Sequence, residues 1–524
     1  MCRLKPLNQL GKEKMQFPTR IVLLLVAVWY SAVGFMVAAA SQPNILYIMS
    51  DDHAAHAIGA YGGRLAALNP TPTLDRLAAE GTRFSNVFCT NSICVPSRAS
   101  ILTGQYSHVN GITTLNGKLP AQQQYLATAM KQAGYETAMI GKWHLAAEPG
   151  AFDHYAVLKG QGNYFNPTFR VRGPKSWPQN TFQFDQYDSL HSTDAITKLS
   201  LTWLKNRKQK QQPFFLMHHF KAPHDNFENA ERYDWLYQNV EIPEPPSLWE
   251  RGNHGPLGQA IYGTSVGPRN ERRNMGHHMF VDKSLADQQY TRESYQRYLK
   301  KFLRCVKGVD DNVAQLLDHL EATGELANTI VIYTADQGFM LGEHDYIDKR
   351  WMYEESLRMP LIVRDFRQES SGRVCESIVN NTDFAPTLIT MAGGEKPAQM
   401  QGRSFLSMVE GEEEPADWPQ ASYYRYWMHM AHHDNPAHYG IRTKNFKLIF
   451  FYGLPLDAPG ALPKPTKPYW ELYDLRKDPQ EMNNVIADPA YTQQLEKLKV
   501  ELFKLKSAVG DTDEKYPQLQ AITH

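Results

Sequence analysis

The 524-residue sequence predicts an α/β sandwich with a central, mostly parallel sheet, plus a smaller C-terminal α+β subdomain. Three observations predict it. Short apolar runs recur, and each ends in a polar cluster. Amphipathic stretches long enough for helices separate those runs. An acidic, proline-containing tract, Gly411 to Pro419, then divides the long N-terminal part from a shorter unit with strand-like runs of its own.

The apolar runs come first. Ile45-Leu46-Tyr47-Ile48-Met49 leads into Ser50-Asp51-Asp52, and Thr137-Ala138-Met139-Ile140 into Gly141-Lys142-Trp143-His144. Phe214-Phe215-Leu216-Met217 leads to Lys221-Ala222-Pro223-His224, and Thr329-Ile330-Val331-Ile332-Tyr333 to Asp336-Gln337-Gly338. Unbroken apolar runs suit strands of a sheet that is buried on both faces. The intervening stretches Thr73 to Glu80, Gln122 to Gly134, Thr193 to Arg207 and Tyr295 to Thr323 read as helices. Such alternation gives helices packed on a parallel sheet. Ligands in these sheets sit beyond the carboxyl ends of the strands. Four strands here deliver acids, an amide, lysines and histidines to that one edge, which points to an enzyme.

Residues 225–290, rich in Pro, Gly, Asn and His, show little periodicity and read as a long surface insertion. Beyond the acidic tract, Ala421 to Trp427, Phe446 to Tyr452 and Trp470 to Asp474 read as strands, and Thr492 to Lys506 as a helix. The expected boundaries are a signal peptide over 1–40, a main domain over 41–410 and a C-terminal subdomain over 411–524. The first segment carries Lys12, Lys14 and Arg20, then the nearly all-apolar run Ile21 to Val37, then Ala38-Ala39-Ala40. That order suits export and cleavage. The run is short for a span of ~20 residues, so the expectation is a periplasmic or secreted protein with no stable membrane anchor.

Composition narrows the function classes. Lys plus Arg (55) equals Asp plus Glu (55), so the basic excess of a nucleic-acid partner is missing. A local basic pocket for a small anion remains open. Cys2 would leave with the signal, and Cys89, Cys94, Cys305 and Cys375 remain. They show no paired C-x-x-C spacing and are too few for a disulfide scaffold. A Cys305–Cys375 bridge is left open.

The sharpest motif is Cys94-Val95-Pro96-Ser97-Arg98, followed by Leu102-Thr103-Gly104. Here the sequence resembles the formylglycine-dependent sulfatases of the alkaline-phosphatase-like superfamily, over nearly the whole mature chain. The resemblance implies that a maturation enzyme reads this segment and oxidises Cys94 to formylglycine. Hydrated formylglycine carries two hydroxyls on one carbon. One attacks sulfur and releases the alcohol. The other loses its proton, the carbonyl re-forms, and sulfate leaves.

The resemblance also implies a calcium ion, a hard cation that takes oxygen ligands. Asp51, Asp52, Asp336 and Gln337 match the ligand positions, with the Cys94-derived oxygen completing the shell. Gln337 departs from the Asn of many members. Arg98 would fix the formylglycine hydrate, and Lys142 would bind sulfate. His144 would take the proton of the second hydroxyl. His224 and Lys349 would stabilise or protonate the leaving alcohol. His53, His56 and His344 receive no role. Leu472-Tyr473-Asp474-Leu475 resembles the family's C-terminal signature and implies a structural strand and turn.

The expected reaction releases inorganic sulfate from a sulfated saccharide. Asp348 to Glu354 and His438 to Thr443 look like bacterial carbohydrate sulfatases, including N-acetylglucosamine-6-sulfatase-like ones. Tyr423 to Thr443 is dense in groups suited to sugars, and His433, His438 and Arg442 are its expected substrate-binding residues. Two alternatives stay open: a formylglycine-dependent phosphonate or phosphate monoester hydrolase, and an inactive carbohydrate-binding homologue. A two-metal phosphatase would need a Ser or Thr nucleophile and zinc ligands, which the intact Cys94 motif argues against.

Overall fold

Strand β1 (Asn44–Asp51) is buried along its whole length because its alternate side chains enter two different cores. The computed structural model describes residues 42–184, 189–250, 262–370 and 372–523; the expected signal peptide lies outside them. On one face of the sheet, Leu46 and Ile48 join side chains of helices α1 (Pro72–Glu80), α4 (Ser192–Asn206) and α5 (Asp287–Ala322). On the other, Ile45, Tyr47 and Met49 join those of α2 (Cys94–Thr103), α3 (Tyr125–Gln132) and α6 (Phe384–Met391). The apolar runs are unbroken for this reason: neither face of the strand meets water.

Among the described residues the main sheet has ten strands. After β1 come β2 (Thr82–Phe88), β3 (Glu136–Gly141), β4 (His154–Leu158), β5 (Phe169–Val171), β6 (Thr181–Phe182), β7 (Phe214–Pro223) and β8 (Thr329–Ala335). A two-stranded ribbon, β9 (Met340–Leu341) with β10 (Ile347–Asp348), precedes β11 (Leu361–Asp365) and β12 (Arg373–Asn380). The order across the sheet is β12-β2-β11-β8-β1-β7-β3-β4-β5-β6. The centre, β8-β1-β7-β3-β4, is parallel. β11 runs against its neighbours, as do β5 and β6. The α/β reading therefore holds, with antiparallel pairs away from the centre.

Three local expectations change. α5 begins at Asp287 rather than Tyr295, because its first inward residues are Tyr290, Thr291 and Ser294, a weak apolar signal. The 225–290 stretch is more than a surface insertion: Ile242, Leu248, Val266 and Met275 belong to the first core. Cys305 and Cys375 are free, as are Cys89 and Cys94, so the bridge left open is not formed.

The C-terminal sheet is antiparallel, in the order β13 (Ala421–Tyr426), β14 (His438–Thr443), β15 (Phe446–Phe451), β16 (Tyr469–Asp474). One face packs on α7 (Thr492–Ala508) through Tyr439, Ile441, Leu448 and Leu472. The other packs through Tyr424, Tyr426, Phe451 and Tyr473 against Trp351, Met352 and Tyr353. Gly440 makes that approach possible: a Cβ there would sit 2.6 Å from the Met352 sulfur. Residues 43–524 form one compact unit. Among the described residues, no helix is long and apolar enough to cross a membrane.

Candidate active site

Parallel register brings the site together. Ser50 stands beside Ala335, and Asp51 beside Pro223. The residues following β8 and β7, Asp336 and His224, therefore meet the end of β1. Gly141 lies beside His219, which delivers Lys142 to the same edge. Asp52 has a left-handed backbone, φ 63°, uncommon outside glycine but tolerated by Asp. Its N–H donates to Asp336 Oδ1 at 3.1 Å.

A tyrosine ties the two strands behind this turn. The Tyr333 hydroxyl on β8 is 2.8 Å from Ser50 Oγ and 2.5 Å from His53 Nδ1. Ser50 and His53 bracket the Asp51-Asp52 pair, so one hydroxyl couples both sides of that turn to the strand that carries Asp336.

Asp51, Asp52 and Asp336 are fully buried, with an oxygen of each within 4.8 Å of the others. Like charges this close cannot all ionise freely. Burial and the neighbouring Asp51 charge push the Asp336 carboxyl up to about 7. Burial also raises Asp52, against the pull of Lys349. For Asp51 burial opposes the charge too, but Lys142, His224 and Arg98 together hold it well below the usual carboxylate range. Gln337 Nε2 donates to Asp52 Oδ1. Its Oε1 is buried and has no hydrogen-bond partner among the described residues. Three carboxylates and an orphaned amide oxygen make an all-oxygen donor set, which fits a hard divalent cation.

Cys94 opens α2, which is buried throughout and ends at Gly104 with φ 62°, the left-handed stop that favours glycine. The Cys94 sulfur lies within 4.8 Å of ligand atoms of Asp51 and His224. Burial outweighs the nearby Lys349 and pushes its thiol well up. As a thiol it stays protonated, the opposite of a reactive cysteine.

Cations surround the acids. Arg98 donates from Nε to Asp336 Oδ2 at 3.0 Å, from Nη2 to Asp51 Oδ1 at 3.2 Å, and from Nη1 to the Lys142 carbonyl at 2.7 Å. Lys142 Nζ donates to Asp51, and Lys349 Nζ to both Asp52 oxygens at 2.7 and 2.6 Å. His224 Nε2 is 3.7 Å from Asp52 Oδ2. His144 is held well below its usual range by burial and by Lys142, so its imidazole is neutral. Asp51, Asp52, Cys94, Arg98, Lys142, His144, His224, Asp336, Gln337 and Lys349 are thus gathered at one sheet edge.

The expected sugar-binding residues do not stay together. His433 Nδ1 is 2.8 Å from Thr264 Oγ1 and 3.6 Å from Asp348, and the residue lines a cavity with Asp225 and Asp348. His438 and Arg442 sit in different surroundings. Both lie on β14, whose pairing the sequence reading missed. His438 is fully buried, stacked among Trp351, Tyr424 and Phe451. Arg442 pairs with Glu354 at 3.0 Å and lies over Phe88. These two residues dock the C-terminal sheet on the main domain.

Sequence reasoning also missed Tyr333, Lys221 and Asn381. Lys221 is buried, with Nζ 4.7 Å from the Tyr164 ring centre, and burial lowers its ammonium to about 8. Asn381 donates to Ser97 Oγ at 3.0 Å. The run Lys221-Ala222-Pro223-His224 offered a signal for Lys221; Tyr333 and Asn381 act through partners far away in sequence and left none.

Comparison with known proteins agrees with this geometry. The Sulfatase family profile matches residues 43–394, and the profile described as N-sulphoglucosamine sulphohydrolase, C-terminal, matches 342–508. The N-acetylglucosamine-6-O-sulfatase of Bacteroides thetaiotaomicron is 36% identical, over 90% of this chain and 88% of the relative. A solved structure of a protein in complex with its substrate D-glucosamine-2-N,6-O-disulfate is 36% identical, with a TM-score of 0.79 over 90% of this chain and 100% of the other. The phosphonate monoester hydrolase of Silicibacter pomeroyi, 22% identical with a TM-score of 0.69 over 90% and 97%, shares the fold. With a profile spanning two-thirds of its length and a relative aligned across nine-tenths of it, the chain belongs to the sulfatase family and is a sulfuric ester hydrolase.

Proposed function

We propose that the protein removes the 6-O-sulfate of a glucosamine unit in a sulfated saccharide, with Cys94 converted to formylglycine and calcium held by Asp51, Asp52, Asp336 and Gln337. The observation that carries this is the meeting of the Cys94 sulfur with the buried acids at the end of β1. The glucosamine assignment is supported by the relative named as an N-acetylglucosamine-6-O-sulfatase. When present, formylglycine supplies a nucleophilic hydroxyl and calcium a hard positive centre for sulfate oxygens.

The chain's own residues then have separate tasks. Arg98 holds Asp51 and Asp336 at fixed spacing. Lys142 and Lys349 are buried cations placed to neutralise the sulfuryl oxygens. His144, kept neutral, takes a proton during sulfate release. His224, less buried than the acids, faces the leaving oxygen and supplies its proton. The basic N-terminal segment and its apolar run support export to the periplasm or medium, with maturation by a formylglycine-generating enzyme on the way.

The test is release of inorganic sulfate by matured protein from glucosamine 6-sulfate, its positional isomers and the matching 6-phosphate. Preferential turnover of the 6-sulfate is expected. Preference for another position overturns the regiochemistry. Preference for the phosphate favours the phosphomonoester alternative.

A further inference from the structure

A cavity of about 520 Å³ opens beside the catalytic edge. Its inner end is formed by Asp225, which follows His224, by Asp348, which precedes Lys349, and by His433. Phe227, Phe339 and Ile347 supply apolar wall. The outer end is different. It carries Phe280, His278 and Lys301, all exposed. A space of this size lies within the range of roughly 300–1,000 Å³ that takes drug-sized ligands, which is more than a single sugar ring fills.

Phe280 is the most exposed of the large hydrophobic residues, at 88%. Its backbone is in the left-handed region, φ 54°, unfavourable for a bulky residue. Arg297 Nη1 holds this conformation by donating to the carbonyls of Met279 and Phe280, both at 3.1 Å. An aromatic ring is thus pinned outward at a polar cavity mouth, where an apolar side chain gains nothing from folding. Lys301 projects from α5 at the same mouth and makes no ion pair among the described residues. Arg273, at the same cavity, reaches Asp434 at 3.3 Å through Nε and remains half-exposed.

We propose that this outer end is a second saccharide subsite, in which Phe280 stacks on the ring next to the sulfated glucosamine and Lys301 pairs with an acidic group on that ring. The inference rests on the glucosamine reading above and extends it from one sugar to two. The chemistry is complementary: the apolar face of a pyranose covers an aromatic ring, and an exposed ammonium meets a carboxylate or sulfate at the cavity rim. Asp225 and Asp348 at the inner end are already paired with His224 and Arg350, so the free ammonium of Lys301 at the outer end is the group that meets the acidic substituent.

The experiment is calorimetric titration of the full-length Cys94→Ala protein, which binds without turnover. The ligands are glucosamine 6-sulfate, a disaccharide of that sugar with a uronic acid, and a disaccharide of that sugar with a neutral hexose. The uronate disaccharide is expected to bind at least about tenfold tighter than the monosaccharide. Phe280→Ser, at a position too exposed to support the fold, should erase the advantage of both disaccharides. Lys301→Gln should reduce the uronate disaccharide to the affinity of the neutral one. If the monosaccharide binds and the disaccharides bind no tighter, or if their advantage survives Phe280→Ser, the subsite is overturned and the glucosamine reading stands. If none of the three binds, both fall together.

Discussion

Arg98 and Arg425 are both 2% exposed, and each is clamped by two aspartates. Arg98 bridges Asp51 and Asp336; Arg425 bridges Asp511 at 2.6 Å and Asp513 at 2.7 Å. Their surroundings differ. Arg425 has the Trp427 ring 3.7 Å from its guanidinium carbon, and Lys506 completes the charge balance at 2.9 Å from Asp513. The Asp511 carboxyl pays for burial but is held well below the usual range by Arg425 and Lys506. Around Arg98 a third carboxylate crowds in, Asp336 is pushed up to about 7, and the Gln337 oxygen has no partner. In the C-terminal cluster two carboxylates face two cations, although Arg425 Nε and Nη2 have no hydrogen-bond partner among the described residues. The catalytic cluster keeps a raised carboxyl and an amide oxygen without a partner, as sites built to take a ligand commonly do.

The largest effect should come from Cys94→Ala. It should lower turnover by about 10⁴-fold or more while leaving the melting temperature nearly unchanged. Mass spectrometry of the parent should show a Cys94 peptide lighter than encoded and reactive with hydrazides. Full activity in the variant would remove the Arg98 region from the chemistry.

Next in size is removal of the ion. Strong chelation should abolish activity and lower stability by about 4 kcal/mol if calcium is held at ~1,000 times its dissociation constant. Adding calcium back should restore both, as read by sulfate release and thermal melting. Metal analysis of active protein that finds zinc would contradict the all-oxygen reading.

Arg425→Met tests the other side of the comparison. It leaves Asp511 and Asp513 buried with only Lys506, so about 3–5 kcal/mol of stability should be lost in denaturant titration. Turnover per folded molecule should hold. A stable variant with depressed kcat would erase the distinction between the two arginines.

The effect that is smallest per pH unit concerns Glu471 on β16, which accepts from Tyr473 at 3.0 Å and Tyr353 at 3.1 Å. Burial raises its carboxyl to about 8 from an ordinary value near 4.5. Below 4.5 both folded and unfolded chains are protonated there. Between 4.5 and 8 only the unfolded chain ionises, so stability falls as pH rises, by at most ~1.4 kcal/mol per pH unit. Glu471→Gln should flatten that part of the profile. An unchanged slope would show that a different group titrates.

What the sequence made legible follows from how local each signal is. Asp51, Lys142 and Asp336 follow closely on unbroken apolar runs, and His224 lies a little farther beyond one, so a strand and its polar tip could be read together. The Cys94 to Gly104 segment carries its chemistry in consecutive residues. β14 was illegible because Gly440 and polar residues interrupt its pattern, and His438 and Arg442 looked like sugar-binding groups. Their burial depends on Trp351, Met352 and Phe88, which no spacing within 438–443 reveals. Tyr333 and Asn381 act through partners far away in sequence.

Asp52 and Asp336 touch across 284 positions of sequence, and that separation sets a clock. Ribosomes add about 5–20 residues per second, so ~15–60 s pass between synthesis of the two. During that time β1 lacks its β8 neighbour. The start of α2, whose Ser97 and Arg98 both bond to Asp336, cannot close over Cys94. A residue 1% exposed in the finished fold therefore gains its full cover only after Asp336 has been made.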